Sequence, residues 1–398
     1  MAQVSDAASD WAGSGLAYLT GLPDGPPDFS RANVLARARQ VAADAGDRMG
    51  IAVDAALLLA GRAALLGLTR GGRTSAGGAT QLLATRDGWC ALTLSRADDV
   101  GAVPALLQVD DVPADPWPAL RRWAAARPAT AVVERAALLD IPVAALGEAT
   151  DTSPRVRELG SRTPPRALTG LLVADLSSMW AGPLCGQLLA RAGARVVKVE
   201  SPRRPDGTRG GDPRFFDWMN AEKLSYEIDF DRQADELQAL LAAADIVIEG
   251  SRSAALERRR LGPDDVRPRA GRIWLRINGY DDHRGRPAFG DDAAVAGGLV
   301  GTATGGPVFC GDAIADPLTG LAAAAAVAES LGRGGGEVIG VSMAAVAATY
   351  AALATEPSAQ DVAAPPPTAP PASRPAPALG ADNGDVRRLV AERLCLSC

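Results

Sequence analysis

Several chemically useful residue types are scarce in this sequence. Only two of its 41 basic residues are lysines, Lys198 and Lys223, and its one histidine is His283. Five cysteines are scattered along the chain, and their odd number is typical of a reducing compartment without a disulfide framework. Cys395 and Cys398 have C-x-x-C spacing, but no second ligand pair accompanies them. We therefore expect no metal site.

Long apolar runs and a basic surplus are also missing. The apolar stretch at 320–330 is too short and too rich in alanine to span a bilayer. Residues 1–13 have neither a basic flank nor an apolar core, so no signal peptide is expected. The formal net charge of -6 argues against general nucleic-acid binding. We expect a soluble, cytoplasmic protein whose partners include neither a membrane nor a nucleic acid.

The clearest pattern begins at residue 171. LLVADL (171–176) is typical of a buried parallel strand, and ARVVKVE (194–200) of the next one. A helix is predicted between them, capped by Ser177 or Ser178 and ending near Ala192. These three elements form a β-α-β unit.

The alternation continues to about residue 280. Further strands are predicted at LSYEIDF, DIVIEG and RIWLRING, with helices at ADELQALLAAA and LERRRLG. Parallel strands joined by helices favour an α/β fold with a doubly wound, mostly parallel, Rossmann-like sheet.

The flanking regions have different character. Before the β-α-β pattern, helices alternate with short strands, which indicates a smaller α+β domain, and a helix is predicted at 317–331 beyond the pattern. A Pro/Ala-rich stretch then predicts an extended linker. The expected segments are the α+β region 1–165, the Rossmann-like region 166–355, the linker 356–380 and a C-terminal helix in 381–398.

Spaced motifs run through the Rossmann-like region. They are Asp175-Leu176, Ala181-Gly182-Pro183, Ala192-Gly193-Ala194, Lys198-Val199-Glu200, Asp206-Gly207-Thr208-Arg209-Gly210, Glu222-Lys223 and IADPLTG at 314–320. In this order they resemble the family III CoA-transferases (CaiB/BaiF type), the group that includes formyl-CoA transferase and α-methylacyl-CoA racemase. The resemblance covers about 168–353. It implies a CoA-transferase that uses coenzyme A as substrate and product, with no permanently bound cofactor.

The resemblance also assigns the nucleophile. The family places its catalytic aspartate where this chain has Asp316, which would carry CoA as an aspartyl-CoA thioester between an acyl-CoA and a carboxylic acid. A carboxylate needs no activating base, because it is already ionised at neutral pH. The alternative is that Asp316 caps the following helix, with Pro317 at the first helical position.

CoA contacts are predicted at two kinds of position. By resemblance, Met179, Trp180 and Ala181 flank the adenine and pantetheine at the start of a helix, where free N–H groups can meet a phosphate. The predicted phosphate contacts are Arg209, Lys223 and Arg258. The alternative for the arginines is a solvated surface in an arginine-rich chain. Two glycine-rich segments, 70–81 and 301–307, are either parts of the site or ordinary turns.

The order of the segments differs from the family pattern. Features that normally follow the catalytic segment stand first here, as in IAVDAALLL (51–59) and ATRDGWCAL (84–92). This predicts a rearranged, permutation-like chain. Gly250-Ser251 replaces a common Asn-Phe, and Ser201 a common arginine. These departures leave open a catalytically degenerate subunit that needs a partner chain, and the family implies a homodimer or a hetero-oligomer with a related subunit.

An acyl-CoA racemase or isomerase is the other alternative. Racemisation needs two acid/base groups, and the racemase branch supplies a histidine before the glycine-rich segment. The corresponding region here has Asp291 and Asp292 instead, and His283 lies several residues too early. A transferase is therefore favoured, with Asp291 as a substitute base if the chain is a racemase.

Overall fold

The computed structural model describes residues 6–250, 256–281, 285–357 and 362–395. Its strands are β1 (Thr80–Ala84), β2 (Trp89–Thr93), β3 (Val143–Ala145), β4 (Arg155–Glu158), β5 (Leu172–Asp175), β6 (Arg195–Glu200), β7 (Leu224–Glu227), β8 (Ile246–Glu249), β9 (Ile273–Asn278), β10 (Val300–Ala303), β11 (Gly306–Phe309) and β12 (Glu337–Ser342). The α/β class predicted from the sequence is confirmed.

Helices occur from the first to the last part of the described chain. They are α1 (Asp6–Gly13), α2 (Asn33–Met49), α3 (Ala55–Leu66), α4 (Ala97–Gly101), α5 (Val103–Leu107), α6 (Trp117–Ala125), α7 (Ala129–Ala137), α8 (Ala181–Arg191), α9 (Pro213–Asn220), α10 (Ala234–Ala243), α11 (Gly290–Ala296), α12 (Ala315–Gly332), α13 (Met343–Ala351) and α14 (Asn383–Cys395). None of these helices combines the length and the hydropathy that a bilayer crossing requires.

The large sheet has seven strands in the order β4-β12-β9-β8-β5-β6-β7. Pairing is parallel from β12 through to β7, and β4 joins the β12 edge in antiparallel register. The chain moves outward from β5 to β7 and then returns to β8 on the other side of β5. The strand order therefore reverses between β5 and β8, the point at which open α/β sheets bind ligands.

Apolar alternation explains why these strands form the sheet. Val173 lies in the core on one face, with α8 and α12, whereas Leu172 and Ala174 lie in the core on the other face, with α10 and α14. Both faces are covered, so β5 and β8 are buried along their full length.

Two local features lie outside the sequence predictions. The stretch 155–158, whose side chains show no apolar pattern, pairs with β12 as an exposed edge strand. The predicted serine cap of α8 is wrong. The helix begins at Ala181 without a side-chain cap, and Ser177 donates its hydroxyl proton to the Asp175 carboxylate instead.

The first part of the chain contains the smaller α+β unit. The antiparallel sheet β1-β2-β3 packs with α6 and α7 around a core of its own. Helices α1 to α3 instead share the core of the large sheet, and α2 lies against α12. The boundary near residue 165 stays a prediction, as does the rearranged segment order, and packing across that boundary is continuous.

The Pro/Ala-rich stretch runs along the surface without regular secondary structure over 362–378. Pro367 packs against Gly15, and Pro370 contacts Gly61 in α3. Further on, the Ala376 N–H donates to Asp217 of α9 at 2.8 Å. The stretch therefore connects the first part of the chain with α9, and the chain ends in the predicted helix α14.

Candidate active site

The loop between β5 and α8 lies where the strand order reverses. Two glycines let the chain turn tightly there. A Cβ at Gly182 would overlap the side chain of Ser177, and one at Gly250 would lie 3.0 Å from the same side chain. These close approaches place the first turn of α8 at the carboxyl ends of β5 and β8.

Met179 and Trp180 directly precede this turn, and Ala181 begins it. Met179 is 38% exposed. Its backbone has φ +73, a conformation that is unfavourable for a residue with a long side chain. Its N–H donates to both oxygens of Asp206 at 3.2 Å, which holds the strained residue in place. Trp180 is buried, and its Nε1 has no hydrogen-bond partner among the described residues.

Beneath this turn lies a group that we call the lysine cluster, which comprises Asp175, Lys198, Asp206 and Lys223. Lys198 pairs with Asp206 at 2.6 Å and Lys223 with Asp175 at 2.8 Å, and all four side chains are buried. Burial works against ionisation of Asp175, but Lys223 and Lys198 outweigh it and lower the pKa of that carboxyl. The cluster therefore remains charged and paired.

The predicted phosphate contacts lie in different environments. The Lys223 ammonium also donates to the Pro183 carbonyl at 2.8 Å, and Arg209 is paired with Glu200 at 2.6 Å. Each would have to leave these partners to meet a phosphate. Arg258 is exposed beyond the end of β8. The structure thus places Met179, Trp180 and Ala181 at the start of α8. Lys223 and Arg209, in contrast, have partners within the fold.

Asp316 occupies the second position of α12. Ile314 takes the cap position of this helix, so the interpretation of Asp316 as a cap is wrong. Its carboxylate is partly exposed and faces the backbone N–H groups of Ala181 and Gly290. A Cβ at Gly290 would overlap the Asp316 Oδ2, so the close approach requires glycine there. A carboxylate in the first helical turn is also stabilised by the helix dipole.

Asp316 belongs to a second group of charges, which we call the aspartate cluster: Asp291, Asp312, Asp316 and Arg62. Arg62 Nη1 contacts both oxygens of Asp312, at 2.6 Å and 2.7 Å. Its guanidinium also lies 5.3 Å from the centroid of the Trp180 ring. Three carboxylates share this cation, which comes from α3 in the first part of the chain.

Burial raises the pKa values of the three carboxyl groups in this cluster, and Arg62 does not offset it. The pKa of Asp316 is raised to about 7, mainly by burial. Arg62 lowers this pKa and Asp291 raises it further. For Asp291, burial and then Asp312 raise the pKa to about 6, and Arg62 opposes them. Burial also raises the pKa of Asp312 against the effect of Arg62. Such a cluster can hold or release a proton near neutral pH.

The glycine-rich segment 70–81 faces this cluster. The Ser75 side chain is hydrogen-bonded to Asp291, and Thr80 Oγ1 approaches the same carboxylate at 3.4 Å. Asp291 is further held by the N–H of Ala313, a residue with φ +42, at 3.1 Å. The other glycine-rich segment, 301–307, forms the β10–β11 hairpin, where Gly306 lies against Trp89.

Sequence reasoning missed Arg62 and Asp312. Arg62 is one arginine among many and lies 250 residues before Asp312, so no local pattern marks it. Asp312 stands four residues before Asp316, just outside the IADPLTG motif, and that short spacing was the only available signal. His283, Ser251 and Cys398, which entered the sequence predictions, lie outside the described residues.

A separate cleft of about 570 Å³ lies between α2, α3 and α8. Its lining includes Arg39, Gln187 and Trp218 but none of the aspartate cluster. Within the described ranges, no set of three or more His, Cys, Asp or Glu side chains is arranged to hold a metal ion. The chemistry that the geometry offers is therefore that of clustered carboxylates beside backbone N–H groups.

Comparison with known proteins gives a consistent result over the second part of the chain. Residues 168–383 match the family model described as CoA-transferase family III. A succinyl-CoA–D-citramalate CoA-transferase of Chloroflexus aurantiacus is 30% identical over 204 residues, which cover 46% of this chain and 50% of that protein. A probable fatty acyl-CoA transferase of Mycobacterium tuberculosis is 36% identical over 158 residues, covering 36% of this chain and 39% of that protein.

A solved structure of a hypothetical protein from Mycobacterium tuberculosis is 32% identical, with a TM-score of 0.42. The match covers 48% of this chain and 57% of that one. A CAIB/BAIF family protein from Brucella suis is 28% identical with a TM-score of 0.42, over 47% of this chain and 56% of that one. The chain spans about half the length of the curated relatives cited above, or less.

Proposed function

Because the chain belongs to CoA-transferase family III, we propose that it moves coenzyme A between an acyl-CoA and a carboxylic acid, with Asp316 as the nucleophile. The observation that carries the proposal is the setting of this carboxylate. It is partly exposed, and two backbone N–H groups face it, from Ala181 and Gly290. Its pKa of about 7 leaves a reactive anion available at neutral pH.

The proposed reaction begins when an Asp316 oxygen attacks the thioester carbonyl and expels the CoA thiolate. A mixed anhydride between the acyl group and Asp316 results. The thiolate then attacks the Asp316 carbonyl, the acyl group leaves as its carboxylate, and an aspartyl-CoA thioester remains. An acceptor carboxylate attacks this thioester, and the same steps in reverse give the new acyl-CoA and restore Asp316.

The neighbouring backbone supports these steps. Each attack places negative charge on a carbonyl oxygen close to Asp316, and the N–H groups of Ala181 and Gly290 can donate to it. We propose that the acyl-CoA approaches along the side on which Met179 is exposed, since Met179 and Trp180 lie next to Ala181. The cleft between α2, α3 and α8 has none of the aspartate cluster in its lining, so we leave it out of this path.

The phosphate contacts need revision within this proposal. Lys223 and Arg209 are engaged with Asp175 and Glu200, so we assign them to holding the loop that contains Met179. Arg258, which is exposed, keeps the proposed role of meeting a CoA phosphate. CoA remains a substrate and product in this scheme, and the reaction is placed in the cytoplasm, as the sequence predicts.

The test is mass spectrometry of the full chain after incubation with an acyl-CoA and hydroxylamine. Succinyl-CoA belongs in the panel of thioesters, since several relatives are named for it. Hydroxylamine attacks an acylated aspartate and leaves a hydroxamate on that residue. We expect the mark on Asp316, and its absence from Asp316→Asn. Turnover without any mark on Asp316 would exclude the covalent route.

Racemisation or isomerisation is the second candidate, and the position of Asp291 favours keeping it. This carboxylate is coupled to Asp316 and has a pKa of about 6, so the two groups can exchange protons on a substrate α-carbon. Deuterium incorporation from D₂O into the α-carbon, without an acceptor acid, distinguishes it from transfer. Asp291→Asn should abolish that exchange.

The third candidate is a subunit that works only with a related chain. A relative 34% identical over 173 residues is named as the beta subunit of a succinyl-CoA–L-malate CoA-transferase. We propose an oligomer, either a homodimer or a hetero-oligomer. Light scattering gives its size, and activity that appears only after a second family chain is added would support the hetero-oligomer.

A further inference from the structure

The aspartate cluster is built from both parts of the chain. Asp291, Asp312 and Asp316 come from the region that matches the family model, whereas Arg62 comes from α3, which lies outside the matched residues. Arg62 is therefore the cation that the first part of the chain contributes to the carboxylates of the second. Its side chain is 23% exposed, against 1% for Asp312, so the pair lies at the edge of the buried site.

Three contacts fix the guanidinium. Both oxygens of Asp312 hold Nη1, and the rings of Trp180 and Phe215 lie 5.3 Å and 5.5 Å from the guanidinium carbon. Trp180 precedes Ala181, whose N–H faces Asp316. A guanidinium whose Nη1 is held by a carboxylate and whose carbon lies over two aromatic rings has little freedom left.

We propose that Arg62 is a positioning residue that keeps a positive charge beside Asp316 and so holds this carboxylate in the ionised form that attacks the thioester. The catalytic meaning of this proposal rests on the proposed function. The electrostatic arrangement itself can be measured without substrate. Asp312 anchors Arg62. As an anion, however, Asp312 raises the pKa of Asp291, whereas Arg62 lowers it.

All the groups that face the two titrating carboxylates enter this balance. Asp316 is faced by Arg62 from α3, Asp291 from α11 and the backbone N–H groups of Ala181 and Gly290. Asp291 is faced by three carboxyl groups (Asp312, Asp316 and the adjacent Asp292), by Arg62, by the side chains of Ser75 and Thr80, and by the Ala313 N–H. Arg62 is a cation whose charge favours the ionised form of both carboxylates. Its removal should therefore favour the protonated form of both.

The two partners of one ion pair then have opposite effects. Arg62→Gln removes the cation and should raise the titration midpoints of Asp291 and Asp316. Asp312→Asn breaks the same ion pair but removes an anion and releases Arg62, so it should lower the Asp291 midpoint. A pair that served only to hold the fold together would give two variants with the same defect.

The experiment is a pH titration of the full-length protein labelled with carboxyl-¹³C aspartate and observed by NMR. Resonances are assigned by their loss in Asp316→Asn and Asp291→Asn. We expect Arg62→Gln to raise the Asp316 midpoint by about one pH unit. Arg62→Lys, which keeps the charge, should leave it close to that of the original protein. Arg39→Gln is the matched control, since it breaks an exposed ion pair on α2 and should shift neither midpoint.

A second readout separates this proposal from the proposed function. Near neutral pH, Arg62→Gln should reduce hydroxamate formation on Asp316 about five- to tenfold and recover it at higher pH. If no hydroxamate forms in any variant while the midpoints move as described, acyl transfer is wrong and the role of Arg62 stands. An unmoved Asp316 midpoint in Arg62→Gln, or equal shifts in Arg62→Gln and Asp312→Asn, would overturn the inference.

Discussion

The lysine cluster and the aspartate cluster lie on either side of the first turn of α8, and they differ in their ratio of cations to carboxylates. In the lysine cluster, Asp175 and Asp206 each have a lysine partner within 2.8 Å. In the aspartate cluster, three carboxylates share Arg62. Burial opposes ionisation in both, but only the first has enough positive charge to overcome it.

The comparison separates a structural use of buried charge from a reactive one. The pKa values of Asp175 and Asp206 are lowered, because nearby lysines outweigh burial, so these groups remain anions that fix the Met179 loop. Asp316 titrates near neutral pH because burial dominates. A carboxylate whose negative charge is only partly compensated can gain a proton or form a bond at a small cost in free energy. A catalytic group needs this property.

The largest effect is expected from breaking the lysine cluster. Lys223→Met leaves the fully buried Asp175 without its nearest cation. We expect the free energy of unfolding to fall by about 3–5 kcal/mol, the usual cost of an uncompensated buried charge. Urea unfolding followed by circular dichroism measures it. The double variant Asp175→Asn with Lys223→Met should recover part of the loss, and equal stability of Lys223→Met and the original protein would show that pairing is unimportant.

An intermediate effect concerns the pH dependence of the proposed reaction. Asp316 attacks as an anion, so hydroxamate formation should rise with pH and level off above the pKa of about 7. Below that midpoint the rate should fall roughly tenfold per pH unit. Quenched samples from about pH 5 to about pH 9, analysed by peptide mass spectrometry, give the profile. A rate that is flat down to pH values near an ordinary aspartate pKa would mean that the two clusters do not differ as described.

The smallest effect is on stability, and its sign is opposite to that of the lysine cluster. The raised pKa of Asp316 contributes stability that is complete below the unfolded value of about 3.9 and is lost as the pH rises through about 7. Asp316→Asn stays neutral throughout. We expect this variant to gain about 1–2 kcal/mol over the original protein between about pH 5 and about pH 8, since partial exposure reduces the full linkage effect.

Urea unfolding at several pH values checks this gain, with Asp175→Asn as the matched control in the lysine cluster. The control should lose stability at every pH at which Asp175 is ionised. A difference in the free energy of unfolding between Asp316→Asn and the original protein that is the same at every pH would contradict the pKa assigned to Asp316.

The sequence led to most of the secondary structure around the site because apolar periodicity is a local property. LLVADL and ARVVKVE became β5 and β6, and the helix between them was expected. The exposed β4 was missed because a strand that buries nothing has no apolar pattern. The motif position of Asp316 came from family resemblance, and its place at the start of α12 agrees with that motif.

The roles of charged residues were harder to predict. Lys223 stood out at a motif position, but its partner is set by the fold: it directly precedes β7 and pairs with Asp175 of β5. Lys198 of β6 lies opposite Asp175 in the parallel register and pairs with Asp206. Neither lysine is available to solvent in that arrangement. The prediction of a phosphate contact rested on the motif position of Lys223, whereas its burial depends on what the fold packs around it.

The sequence by itself determined most strands and helices around the site, because apolar periodicity depends on neighbours a few residues apart. It also contains the motif in which family resemblance points to Asp316. The tertiary structure alone decided which charges meet, because Arg62 and Asp312 are 250 residues apart and come together only when α3 packs beside the loop before α12. Electrostatic energy depends on distance and burial in space, so the contrast between the two clusters arises only in the folded chain.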